Sequence, residues 1–228
     1  MNTISKIIAL AITVLGGAVL PAQVTKQGAG YLFRLKFSKG QSYKYQMNMS
    51  GSGQGQTFIM RMPMTMTVVG VSGVVGTVTY KIGPVSMSVG GKTTNMPNVR
   101  TMTLKLDNRG NVVSGADASQ VQGMGTIGLP ARPMAIGSTW SAKTKTAAGA
   151  AGQMDVQATY RFVGIERQGG INSAKISMTM TGAGQANVKG SGTMWLAVSD
   201  GALVRTDTTM TVNMQGTTMP MSLSIVRK

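Results

Sequence analysis

One stretch constrains the fold more than any other. Between Phe58 and Val68 the sequence FIMRMPMTMTV puts Phe58, Met60, Met62, Met64, Met66 and Val68 on one side of an extended chain, with Arg61, Pro63, Thr65 and Thr67 opposite. Alternation at period 2 marks a strand with one buried face, because successive side chains of a strand point to opposite sides. As a helix, the same residues would split the methionines between two opposite sides. The device recurs in Tyr31, Phe33, Leu35 and Phe37, with Arg34 and Lys36 opposite, and in Tyr43, Tyr45, Met47 and Met49. After residue 30 it persists nearly to the end, rich in Thr, Val, Tyr and Met and broken by Gly every 8 to 15 residues. The pattern predicts an all-β fold, a strongly curved antiparallel sheet or half-barrel of about 11–13 strands. Pro63 cannot donate to a ladder, so its strand is expected at an edge or with a bulge there. One short central helix is expected over 116–124.

The chain opens with a single positive charge, Lys6, then an apolar run from Ile7 to Leu20 ending in Pro21 and Ala22. A run this short, followed by small residues, reads as a cleaved secretory signal peptide over 1–22, since a spanning helix needs about 20 apolar residues. Residues 23–228 then form a single β domain that is exported, to the periplasm or the extracellular space. No cysteine follows the leader to carry a lipid.

The chain also matches itself. Gly40-Gln41-Ser42-Tyr43, Val69-Gly70-Val71 and the turn around Asp107 and Gly110 occur in the same order as Gly137-Ser138-Thr139-Trp140, Val163-Gly164-Ile165 and the turn around Asp200 and Gly201. The spacings agree closely, so a duplicated meander is expected, with repeats 34–115 and 132–215. The opening Phe37-Ser38-Lys39-Gly40-Gln41-Ser42-Tyr43 and the central Leu129-Pro130, Pro133, Gly137 and Trp140 resemble exported bacterial β-proteins of uncharacterised function. By strand count and short central helix, the layout also resembles the half-barrel carriers of lipoproteins in the periplasm. The second likeness implies an architecture and no functional residue.

Composition removes most enzyme chemistry. There is no Cys and no His, hence no thiolate or imidazole nucleophile, no His-based triad and no ordinary zinc site. Gly123, Gly125 and Gly128 have dinucleotide-loop spacing, but Leu129-Pro130 follows where a helix should begin. The six carboxylates, Asp107, Asp117, Asp155, Glu166, Asp200 and Asp207, form no local cluster, and Asp107 and Asp200 suit turns. The chain is expected to be neither an enzyme nor a cofactor protein.

The 20 methionines are the least ordinary feature. They fall in alternating steps: Met47 and Met49; Met60, Met62, Met64 and Met66; Met178 and Met180; Met210 and Met214. Unbranched thioethers fill irregular cores and line pliable apolar cavities. They are also soft ligands for Cu(I) or Ag(I), for which Met60, Met62, Met64 and Met66 are the candidates. The leading expectation is a non-enzymatic envelope protein that holds a lipid-like ligand against a concave face lined by these ten methionines. A thioether metal carrier and a structural β protein without ligand are the alternatives. Net charge of +16, spread singly along strands, suits a lipid or anionic membrane surface as partner. Aromatic residues make up 5%, too few for base stacking, so no nucleic acid is expected, and nothing in the sequence fixes the oligomeric state.

Overall fold

A computed structural model describes residues 22–53, 55–97, 100–114, 128–147, 153–184, 186–214 and 216–228. Among these residues the structure is strands and turns only. The expected helix over 116–124 lies outside the described residues, as does most of the 123–128 glycine motif.

A two-stranded hairpin, β1 (Ala22–Gln27) and β2 (Gly30–Leu35), precedes one antiparallel sheet of 13 strands. The first block of that sheet comprises β3 (Ser42–Gly53), β4 (Gln56–Ser72), β5 (Val75–Ile82), β8 (Arg100–Leu106) and β9 (Val112–Ser114). A small hairpin, β6 (Val85–Val89) and β7 (Lys92–Met96), is attached to β4. The second block comprises β10 (Thr139–Ala147), β11 (Gln153–Gln168), β12 (Ile171–Ala183), β13 (Ala186–Ala197) and β14 (Leu203–Met214). The last strand, β15 (Thr217–Arg227), joins the blocks by pairing with β14 and β3, so the order is β10-β11-β12-β13-β14-β15-β3-β4-β5-β8-β9.

The two ends of this sheet do not pair with each other, so it is not a closed barrel. They nevertheless come close. The Tyr31 ring packs edge-on against Phe162 of β11 at 5.2 Å, while the Leu35 N–H donates to the Asn108 carbonyl just after β8. Four extended residues reach about 13 Å, whereas β11 and β8 are eight strand spacings apart, about 38 Å in a flat sheet. The sheet must therefore curl, and the curl is toward the methionine face. Phe33, fully buried, meets Phe162 and Trp140 on that face, and the Phe37 ring lies so close over Gly76 of β5 that a Cβ there would clash with it.

Pro63 is neither at an edge nor at a bulge. β4 is interior, and its register shift falls between Val68 and Gly70. The Pro63 carbonyl accepts from the Gly83 N–H at 2.8 Å, so the edge of Pro63 that lacks a donor faces the corner where β5 ends and β6 begins. The missing hydrogen bond is lost where no ladder partner stands, so an interior strand tolerates the proline.

Candidate functional site

The methionines come together as expected on one face. Across the β3–β4 ladder Met47 opposes Met62 and Met49 opposes Met60, while Met60 also opposes Met87 of β6. Tyr45 and Tyr43 oppose Met64 and Met66. In the second block, Met178 and Met180 oppose Gly192 and Gly190, and Gly190 opposes Met210. Met47, Met49, Met60, Met62, Met64, Met66, Met178, Met180 and Met210 are all buried members of a single apolar cluster. Met214 pairs with Ala186 and Thr217 through the backbone at the end of β14. The nine buried methionine side chains fill the interior formed by the curl, so a soft ion seeking Met60 to Met66 would have to enter a closed core.

That core holds three buried hydroxyls without a partner among the described residues, those of Tyr45, Tyr80 and Thr208. Burial holds both phenols well above their usual range, because the phenolate would be stranded in an apolar medium. Tyr160 is pushed up to about 12 by the same cause. Tyr43 also reaches about 12, through burial and then the Asp200 carboxylate.

The opposite face carries the groove. Its volume is about 1370 Å³, and its floor is built from residues that alternate with the methionines. One row crosses eight strands in register: Arg161, Ser177, Thr193 and Asp207, then Ser224, Asn48, Arg61 and Ser86. The neighbouring row runs Thr159, Thr179, Ser191, Thr209, Ser222, Ser50 and Ile59. Apart from Arg161, Asp207, Arg61 and Ile59, these floor positions are thus small hydroxyls and the Asn48 amide. Ser50, Ser191, Thr209 and Ser222 also line an adjoining hollow of about 870 Å³ that takes in Lys189. Of the ten methionines expected to line a ligand site, Met49 and Met178 reach the groove wall and Met210 the adjoining hollow.

Charge in the groove is cationic. Arg61, Arg161 and Lys228 line it, and neither arginine has an ion-pair or hydrogen-bond partner among the described residues. The Asp207 carboxylate is already engaged, by the Arg205 Nε–H at 2.6 Å and the Ser224 hydroxyl at 2.8 Å. One residue pair beyond Thr193 on the same face of β13 stands Trp195. Its indole N–H donates to Glu166 at 2.7 Å, and Lys175 both pairs with Glu166 at 3.2 Å and lies 5.8 Å from the Trp195 ring centroid. The Trp195 hydrogen bond, then Lys175, holds the Glu166 carboxyl below its ordinary value.

Asp107 and Asp200 do structural work. Asp107 Oδ1 accepts from the Arg109 and Asn111 N–H groups, and Asp200 Oδ1 from that of Ala202, as turn aspartates do. No cluster of three or more metal-binding acids exists among the described residues. Sequence reasoning missed the groove although its residues were in view. The signal was the recurrence of Ser, Thr and Asn, among a few charged residues and Pro220, at positions opposite the methionines in β3, β12, β13, β14 and β15.

No family model and no curated protein matches this chain. Among solved structures, it is similar to a candidate lipoprotein of Parabacteroides distasonis, at 12% identity and a TM-score of 0.39 over 83% of this chain and 95% of that one. A candidate exported protein with a YmcC-like fold from Bacteroides fragilis matches at 13% and 0.35, over 84% and 98%. The hypothetical lipoprotein YmcC of Escherichia coli matches at 12% and 0.32, over 84% and 90%. Likenesses at these scores decide nothing about a ligand, so the site rests on this chain's own residues.

Proposed function

We propose that the protein is a non-enzymatic exported binding protein whose ligand is polar and occupies the hydroxyl-lined groove. The observation that carries this reading is the groove itself: about 1370 Å³ over a floor of Ser, Thr and Asn in register, with two unpaired arginines. Small hydroxyls that both donate and accept can satisfy a polyhydroxylated ligand in many orientations. Export rests on the leader over 1–22. Saturation-transfer NMR against a panel of neutral and acidic oligosaccharides tests the reading. Wild-type protein should show transfer, and Ser222→Trp, which fills the floor, should lose it. Equal transfer to both proteins, or none to either, ends the proposal.

A second reading is favoured by one specific observation. The unpartnered Tyr45 and Tyr80 hydroxyls lie among Met64, Met66 and Met102, where the polar head of an amphipathic ligand would satisfy them. Native mass spectrometry with lipid extraction separates the two. Lipid that co-purifies from the envelope and is lost in Met178→Lys with Met180→Lys would move the ligand to the methionine face.

A further inference from the structure

We infer that the ligand of the groove is a linear anionic polysaccharide, bound through Arg61 and Arg161 with Trp195 as a stacking surface for a sugar ring; this rests on the groove being the binding site. Three independent observations lead there. The first is length. The row from Arg161 to Ser86 follows the sheet across eight strands, a contour of about 33 Å. That extent suits a chain of several units better than a single small molecule.

The second is charge. Arg61 and Arg161 occupy the same row six strand steps apart, and neither is neutralised by a described neighbour. The single floor carboxylate, Asp207, is taken by Arg205 and Ser224. A guanidinium left open beside hydroxyls matches carboxylate, sulfate or phosphate groups, which it grips with two parallel hydrogen bonds.

The third is Trp195. A half-buried indole on a polar sheet face would ordinarily swing among rotamers, yet this one is tethered through its N–H to Glu166 and flanked by Lys175. Its ring is thereby held in place on the same face of β13, two residues past the groove-lining Thr193, where it can cover the apolar face of a pyranose that extends beyond the groove. Nucleic acid is the poorer fit, because a single indole gives no run of stacking surfaces for successive bases. A bilayer is also poorer, because Ile59 is the one large apolar side chain exposed in the floor.

Calorimetric titration of the full chain tests the inference. The probes are oligogalacturonate, a heparin oligosaccharide, neutral maltohexaose, single-stranded oligo-dT and phosphatidylglycerol vesicles. One or both acidic oligosaccharides should bind at least about tenfold tighter than the neutral one, and weaken as salt rises from 50 to 300 mM. Preference between the two separates carboxylate from sulfate recognition. Arg61→Gln with Arg161→Gln should lose about tenfold or more, and Trp195→Ala about fivefold with partial recovery in Trp195→Phe, while Lys92→Gln on β7 keeps full affinity. Thermal melts identify any variant that fails to fold, and salt dependence of the wild type stands in its place. Equal binding of neutral and acidic chains, an undiminished double variant, tighter binding of oligo-dT or vesicles, or no binding of either acidic chain overturns the inference. Loss of maltohexaose and acidic chains alike in Ser222→Trp, with the arginine variants unaffected, would leave the groove reading standing and remove only the anionic class.

Discussion

The two blocks of the sheet solve the same packing problem by different means. Both begin with a glycine at positive φ, 84° at Gly40 and 88° at Gly137. In both, that N–H donates to an inward residue of the next strand, Val68 or Phe162, which donates back to Gln41 or Ser138. Both then break register two residues later, at Gly70 and Gly164. Past that shared frame they diverge. The first block packs methionine against methionine and tyrosine across β3, β4 and β5. The second lays Met178 and Met180 over Gly192 and Gly190, using absent side chains to make room. Facing residues interdigitate large with small or flexible with flexible, and either way the interior is filled.

The sharpest way to break this comparison is to remove the room. A Cβ at Gly192 would meet the Asp207 carbonyl at 2.5 Å, the Thr208 hydroxyl at 2.6 Å and the Met178 methyl at 3.0 Å. Backbone cannot yield as a side-chain end can, so Gly192→Val should cost at least about 3 kcal/mol in urea denaturation. At Gly53 a Cβ meets only the flexible Met219 side chain, at 2.6 to 3.1 Å. Gly53→Ala should cost under about 1 kcal/mol. A tolerated Gly192→Val would mean that Met178 is not seated over that glycine.

Next come deletions from the two kinds of methionine. Met66 is fully buried between Tyr43 and Tyr80, and Met66→Ala should cost about 3 kcal/mol, since the rings on both sides cannot follow the lost atoms. Met178 is 9% exposed, so Met178→Ala should cost less, about 2 kcal/mol. Replacing Met60, Met62, Met64 and Met66 together by Leu should preserve the fold and leave Cu(I) competition with a chelator unchanged. Uptake lost in that variant would establish the thioether site.

How much of this was legible follows from what alternation can encode. It encodes the face of each side chain, and the buried set from Phe58 to Val68 is the set the pattern picks out. Asp107 and Asp200 were legible as turn residues because an Asx side chain bonds its own local backbone. Their turns differ in length. The register shifts fall at Leu106 and Leu196, so Asp107 is the first residue past that point and Asp200 the fourth. The groove was not legible, because β15 pairing with β3 is what carries the hydroxyl rows across both blocks. Strand order is a long-range choice, and no local period records it.

Subtler differences separate the two bulges. Gly164 has φ of 154°, a region essentially confined to glycine, whereas Gly70 has no positive φ and a Cβ there would meet Thr77 at an ordinary 3.7 Å. Gly164→Ala should therefore cost about 1–2 kcal/mol, and Gly70→Ala should be near neutral. Equal losses at both sites in the same denaturation series would make the bulges energetically alike.

The smallest effect concerns the tyrosines, three of them in the first block and Tyr160 in the second. A phenol whose folded pKa is raised stabilises the fold fully below the unfolded value of about 10, and that contribution is lost as pH climbs through the folded value. For Tyr43 and Tyr160 the window runs from about 10 up to about 12. Glu166 acts at the other extreme: its lowered value gives stability present above the ordinary value of 4.5 and lost as pH falls through the folded one. With no histidine to titrate between, the denaturation midpoint should stay level from about pH 6 to 9 and decline only outside that range. Tyr80→Phe distinguishes the blocks. Its hydroxyl has no partner, so deleting it removes a buried desolvation cost and should stabilise the fold by about 1 kcal/mol while shrinking the alkaline decline. Tyr160→Phe should shrink the decline as well, without that gain. Destabilisation by Tyr80→Phe would mean that its hydroxyl is satisfied in solution, by water or by the head of a ligand, and would strengthen the methionine-face reading at the expense of the groove.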